Sequence, residues 1–428
     1  MPRAVWAAVA VGVAARLAFS LGYWVEKPLT HDEHEYLLLA RSIADGRGFA
    51  YVLPDGSPAP GEHFGRAPAY PLFLAGIVRL TRAVSGMTGA PERSGAPGAG
   101  TAAPPAELAS AELASGTLRT VRVVQSCLGG VLIWLIAWLA NRAAGPAAAT
   151  MAAALAAIYP PLVWTPAYAL SETVFSTLAV GCAGMLTLDR RNARVSLGAG
   201  ALAGLAVLTR PAMLFFLPLA LPWLCWRGRW RPAVLFALAC MLVIVPWTLR
   251  NAREYGRTVL VASEGGITFW TGNHPLAIGE GDMAANPDIK RANLALRAQH
   301  PGMTPEALEP IYYREALTFI REQPLAWAWL MLRKVFYTVV PVGPSYRLHS
   351  PLYFAASVVS YLSVLPFAIL GVAGLRRRGT LPVPLLLLAG ASVLACLVFF
   401  PQERFRIPIV DPALVVCAGA WRALQVTA

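Results

Sequence analysis

Ten apolar runs dominate the 428-residue sequence, each close to the roughly 20 residues that span a bilayer's hydrocarbon core. They cover residues 4–24, 118–140, 146–164, 172–188, 195–210, 211–226, 232–249, 351–374, 381–400 and 407–424. A chain built this way folds as an all-α polytopic membrane protein of about ten transmembrane helices. Its composition agrees, with 57% hydrophobic residues, 14% charged residues and a mean hydropathy of +0.54. A net charge of +13 would point to nucleic acid in a soluble protein. Here the basic residues cluster between apolar runs, where they set orientation, and no nucleic-acid partner is expected.

With the N-terminus in the cytoplasm, Arg142, then Arg190, Arg191 and Arg194, then Arg227, Arg229 and Arg231, then Arg376, Arg377 and Arg378 all fall inside. Two further apolar segments, 68–84 and 325–340, carry cations (Arg79, Arg82; Arg333, Lys334) and read as interfacial helices on the outer face. The first run, interrupted by Arg16, reads as an uncleaved anchor. One membrane domain, 1–428, then carries a first outer loop at 25–117 with a low-complexity insert at 85–115, and a large outer loop at 250–350. Six isolated cysteines suggest neither a disulfide framework nor a zinc knuckle. Arginine far outnumbers lysine, as in a GC-rich bacterial genome, which points to a bacterial inner membrane. Gly200 and Gly204 form a GxxxG pair that lets helices approach closely.

The chemistry-bearing stretch follows the first run: Thr30-His31-Asp32-Glu33-His34-Glu35-Tyr36. Thr30 with Glu33 three residues on is a capping-box pattern, so a helix starts at Thr30. If Glu33 folds back onto the Thr30 backbone, Asp32 is the carboxylate left to meet a substrate. Acidic residues in a first turn also simply complement the helix dipole. His31, His34 and Glu35 can share a helix face, but their order matches no zinc-protease spacing, and no metal or cofactor is expected. Glu172 enters the run at 172–188, where a carboxylate is either functional or a helix start. Arg66, Arg210, Arg250, Arg253, Lys334, Arg404 and Arg406 fall on the same side, positioned for lipid headgroups or for a phosphate held by an arginine fork.

The order of these motifs resembles a family. Asp32-Glu33-His34-Glu35-Tyr36, Arg66-Ala67-Pro68-Ala69-Tyr70-Pro71, Tyr159-Pro160 through Ser171-Glu172, Leu208-Thr209-Arg210-Pro211, Trp270-Thr271-Gly272-Asn273-His274-Pro275 and Glu403-Arg404-Phe405-Arg406 resemble glycosyltransferase family 39. That group of GT-C membrane enzymes includes protein mannosyltransferases and aminoarabinose transferases. The resemblance implies a polyprenyl-phosphate sugar as donor, inverting transfer on the non-cytoplasmic side, and a protein, lipid or glycan hydroxyl as acceptor. It implies catalytic positions at Asp32, Glu33 and Glu172. Substrate-binding positions follow at Arg66, Tyr70, Arg210, Asn273, Lys334, Glu403, Arg404 and Arg406. A transporter or flippase of a lipid-linked anion is the alternative, and an inactive assembly subunit a third. Against the carrier stand the absence of an internal repeat and the confinement of ionisable groups to one face.

Overall fold

Every apolar run is helical in the computed structural model, which describes residues 1–428 except 26, 54, 60–62, 64, 89–114, 189–191, 227–229, 282 and 426–428. Side chains of 85–88, 115, 347–348 and 422–425 are also undescribed. Most of the low-complexity insert, and Arg190, Arg191, Arg227 and Arg229, therefore lie outside the described residues. Among those described, the only extended pairing is an isolated bridge between Val52 and Pro58.

In chain order, α1 (Arg3–Ala18) continues through a π turn to Tyr23, and α2 (His31–Ala44), α3 (Ala69–Thr88) and α4 (Ser115–Ala144) follow. Next come α5 (Pro146–Ile158), α6 (Pro160–Trp164), α7 (Glu172–Met185), α8 (Ala193–Thr209), α9 (Leu217–Cys225) and α10 (Trp230–Tyr255). A lobe of α11 (Gly265–Gly272), α12 (Pro287–Ala298), α13 (Pro305–Glu322) and α14 (Pro324–Val339) precedes α15 (Pro351–Arg378), α16 (Val383–Val398), the short α17 (Glu403–Arg406) and α18 (Val410–Gln425).

Four of these, α1 with its π turn, α4, α10 and α15, are long and apolar enough to cross a membrane, and the pair α5–α6, bent by 64°, makes a fifth. The protein is a multi-pass membrane protein. Of the about ten transmembrane helices expected, four or five are seen at full spanning length among the described residues. Asn192, Arg210-Pro211 and Pro382 cut the neighbouring runs, so the apolar helices beside them have only 10–17 residues. The segments expected at the interface, α3 and α14, are not among the spanning helices. Along α14, Leu325, Trp329, Leu332, Phe336 and Val339 form one exposed apolar face, while Leu330 and Lys334 face inward.

Small residues set the packing. Ala148, Ala149, Ala152, Ala153, Ala156 and Ala157 of α5 are all buried, and a Cβ on Gly419 of α18 would come within 2.9 Å of Ala152 Cα. The Gly200–Gly204 pair serves the close approach expected of it: a Cβ at Gly200 would lie 2.3 Å from the Phe236 carbonyl oxygen of α10.

The bend between α5 and α6 explains Arg16. Pro160 and Pro161 have no N–H, so the carbonyls of Ala156 and Ala157 lose their helical donors. Arg16, fully buried in α1, supplies them, with Nη2 3.1 Å from Ala156 O and Nη1 3.4 Å from Ala157 O, and Nη1 also donates to Gly12 O at 2.8 Å. A charge that would be costly inside a span is thereby spent on repairing a helix break.

Candidate active site

The capping box read from the sequence is present. Thr30 N–H donates to Glu33 Oε2 at 2.8 Å, and Glu33 N–H donates to Thr30 Oγ1 at 3.3 Å. Glu33 Oε1 accepts a further bond from Ala169 N–H at 2.8 Å, so this buried carboxylate ties the start of α2 to the turn before α7. Desolvation raises its carboxyl against the pull of those donors. Both oxygens of Glu33 are thus occupied by structural bonds, and it does not face the same partners as Asp32.

Asp32 is held between two arginines from distant parts of the chain. Oδ1 accepts from Arg66 Nη2 at 2.8 Å and Oδ2 from Arg404 Nη2 at 2.6 Å. Burial pushes the Asp32 carboxyl up, but the charges of Arg404 and then Arg66 outweigh it and hold it well below the usual carboxylate range. The two arginines extend the contact in opposite directions. Arg66 Nε donates to Glu35 Oε2 at 2.9 Å and Nη1 pairs with Glu264 Oε1 at 3.0 Å. On the other side, Arg404 Nε lies 3.5 Å from Glu172 Oε1, which also meets Arg210 Nη1 at 2.7 Å. The result is a row of alternating charge: Glu264, Arg66, Asp32 with Glu35, Arg404, Glu172, Arg210.

Aromatic rings wall the row. The guanidinium carbons of Arg210 and Arg404 lie 5.2 and 5.7 Å from the Phe405 ring centre, and Arg66 lies 5.2 Å from that of Tyr36. Glu35 also meets His63 Nδ1 at 3.1 Å and His31 Nε2 at 3.5 Å. Burial raises its carboxyl, but His31, His63 and Arg66 together bring it well below the usual range. Among the described residues, no group of three or more His, Cys, Asp or Glu side chains is placed to hold a metal.

Of the residues anticipated from the sequence, Asp32, Arg66, Glu172, Arg210 and Arg404 come together in this row. The others sit in networks of their own. Tyr70 is buried and donates to Gln125 Oε1 at 2.9 Å, and Gln125 in turn holds the carbonyls of Pro166 and Tyr168. Lys334 is fully buried, giving its protons to Asn273 Oδ1 at 3.1 Å and Leu397 O at 3.0 Å, while Asn273 Nδ2 donates to Phe269 O and Val398 O. Desolvation brings the Lys334 ammonium down to about 7. Arg406 pairs with buried Asp411 at 3.0 Å and stacks on Tyr361. Glu403 accepts from Ser357, and burial pushes its carboxyl up to about 7. Glu35, His63 and Glu264 belong to the site but were not singled out as site residues. Glu35 lay within the quoted motif 32–36 and had a spacing signal with His31, and nothing local to Glu264 reveals that it meets Arg66.

No family model matches the sequence, and no curated protein matches it either. Solved structures do resemble it in fold. The archaeal oligosaccharyltransferase AglB from Archaeoglobus fulgidus, in complex with an inhibitory peptide and a dolichol-phosphate, superposes with a TM-score of 0.52 at 16% identity, over 99% of this chain and 52% of that one. Its apo form gives 0.53 at 16% identity, over 97% and 50%. ArnT from Cupriavidus metallidurans, bound to undecaprenyl phosphate, aligns over 98% of this chain and 78% of its own at 14% identity, with a TM-score of only 0.40. The chain spans about half the length of the archaeal enzyme. At such identities the likeness establishes architecture alone, the helical arrangement shared with part of the archaeal enzyme.

Proposed function

We propose that the protein is an inverting glycosyltransferase that moves a sugar from a polyprenyl-phosphate-sugar to an acceptor hydroxyl on the non-cytoplasmic side of a bacterial inner membrane. Its architecture is then about ten crossings, with the shorter apolar helices completing the bundle and α3 and α14 at the interface. The observation that carries this reading is Asp32 clamped between Arg66 and Arg404. Transfer needs a base for the acceptor hydroxyl and cations for the departing lipid phosphate, and here both are in contact before any substrate arrives. The archaeal neighbour was captured with a dolichol-phosphate, a lipid phosphate of the class proposed here.

The clamp also suggests how the base is switched on. With both arginines on its oxygens, Asp32 is a weak base. A phosphate that draws Arg66 and Arg404 toward itself removes that stabilisation, and the carboxylate regains proton affinity as the donor binds. General-base assistance of this kind is worth roughly 100- to 10,000-fold. The same arginines then meet the charge that grows on the phosphate as the glycosidic bond breaks. A single displacement needs no second carboxylate across the bond, and inversion follows. Family 39 is the grouping this mechanism fits. The sugar transferred is a hexose or a pentose, and the acceptor a protein, lipid or glycan.

A carrier for a lipid-linked anion would need polar groups along a path through the bilayer. Arg16, the charge inside the first span, is engaged by carbonyls and offers no such step. The deciding experiment supplies radiolabelled polyprenyl-phosphate sugars to detergent-solubilised protein and compares wild type with Asp32→Asn at matched stability. Consumption of lipid-sugar that requires Asp32 supports the transferase; binding with no turnover in either protein favours the carrier.

A further inference from the structure

Two backbone segments nearly 200 positions apart are joined at Gly65 and Ser263. Gly65 N–H donates to Ser263 Oγ at 2.7 Å, and Ser263 N–H donates back to Gly65 O at 2.9 Å. A Cβ on Gly65 would come within 2.7 Å of the Tyr255 hydroxyl oxygen, so the join is as tight as glycine allows. The next residues on the two segments are Arg66 and Glu264, which the join sets side by side.

Glu264 occupies the N-cap position of α11 but makes no capping bond with its side chain. The Gly266 N–H is served instead by Glu309 of α13, at 3.1 Å. The Glu264 carboxylate is therefore spared from helix capping, and it turns to Arg66 Nη1. Its side chain is 35% exposed, against 21% for Asp32, 7% for Glu35 and 5% for Glu172. Glu264 is the most exposed carboxylate of the row.

The charge balance gives that position a meaning. Four carboxylates (Asp32, Glu35, Glu172, Glu264) face three guanidiniums (Arg66, Arg210, Arg404), and His31 and His63 lie against Glu35. A bound phosphate adds one more negative charge to the row, which is accommodated best if one carboxylate withdraws or takes a proton. The groups facing Glu264 are Asp32, Glu35 and Tyr36 of α2, Tyr51 and Arg66 of the following loop, and Arg404 of α17. Desolvation raises its carboxyl, Arg66 opposes that, and Asp32 and Glu35 add to it.

We propose that Glu264 is a displaceable stand-in for the donor's phosphate, holding the Nη1 edge of Arg66 until a phosphodiester oxygen takes its place. This inference rests on the transferase reading and assigns one contact within it.

The test uses the full-length protein in detergent with two probes, a short-chain polyprenyl methyl phosphodiester, whose charge is constant across the pH range, and the matching neutral ether. Affinity is measured at pH 5.5 and 7.5 for wild type, Glu264→Gln and Glu264→Asp. Wild type should prefer the phosphodiester. Glu264→Gln should bind it about two- to fivefold tighter than wild type at pH 7.5, the upper part of the range expected from releasing one partly exposed ion pair. Its advantage should shrink as the pH falls, because burial raises the Glu264 carboxyl and its protonation frees Arg66 in wild type as well. His31 titrates in all three proteins, so the comparison is between variants. Glu264→Asp, too short to keep the contact, should shift the same way and decides the matter if Glu264→Gln does not fold. Equal or weaker phosphodiester binding in the variants overturns the stand-in and leaves the transferase reading intact. No preference for phosphodiester over ether in any of the three overturns both.

Discussion

Asp32 and Arg404, 372 positions apart in the chain, meet through a 2.6 Å hydrogen bond from guanidinium to carboxylate. Arg404 reaches Glu172 with its other edge, so a single side chain on the short α17 joins α2 to α7. Lysine keeps the charge but not the fork. Arg404→Lys is expected to lower kcat by about 100- to 1,000-fold, the usual cost of one lost transition-state donor, while the fold survives. Steady-state kinetics beside a thermal melt checks both halves of the statement.

Asp32 and Glu33 should part ways under amide substitution. Asp32→Asn removes the proposed base and leaves the helix start intact, so activity falls at every temperature; the melting temperature falls too, because Arg66 and Arg404 lose the carboxylate between them. Glu33→Gln keeps an oxygen for the Thr30 N–H but turns an NH2 group toward another donor, at a cost of about 1–3 kcal/mol. It should melt earlier yet turn over near the wild-type rate at low temperature. Equal loss of activity in both would refute the division of labour.

Glu172 and Arg210 form a mostly buried pair at 2.7 Å. Removing Glu172 strands Arg210, which costs about 3–5 kcal/mol, and removing Arg210 leaves Glu172 only the longer contact with Arg404 at 3.5 Å. Glu172→Gln and Arg210→Gln should each destabilise strongly, and the double variant should recover part of the loss. Additive losses in a double-mutant cycle would show that the two carry no mutual energy.

Two buried groups give the stability a minimum near pH 7. Burial raises Glu403 from 4.5 to about 7, so between those values the folded state holds a proton the unfolded chain has lost, and stability falls as pH rises. Burial lowers Lys334 from 10.5 to about 7, so above pH 7 the unfolded chain holds the extra proton, and stability rises again toward 10.5. Denaturant titrations across this range should show both limbs. Glu403→Gln should flatten the acidic one and Lys334→Met the alkaline one.

The features legible in the sequence are those set by short-range rules. A capping box is decided by residues three apart, and Thr30 with Glu33 obeyed it; close helix approach at Gly200 and Gly204 follows from the missing Cβ atoms. Residue type and motif order also marked Asp32, Arg66, Glu172, Arg210 and Arg404 as candidates on the outer face. Position in three dimensions could not be had that way. Glu264 enters the row because Gly65 and Ser263 pair across the fold, and the buried partners of Tyr70, Asn273, Lys334 and Arg406 likewise come from distant parts of the chain or from contacts that residue type does not reveal. Helix length was illegible for a related reason: hydropathy marks where a helix is apolar, while Arg210, Pro211 and Pro382 decide where it stops.

Proline breaks in membrane helices often act as hinges. At Pro160 the loose carbonyls are clasped by Arg16, so the bend between α5 and α6 behaves as a welded elbow rather than a swinging joint. The turn beyond it, gripped by Gln125 and Glu33, inherits that stiffness and gives Asp32 a fixed floor. Motion during turnover then belongs to the opposite wall, where Glu264 lets go.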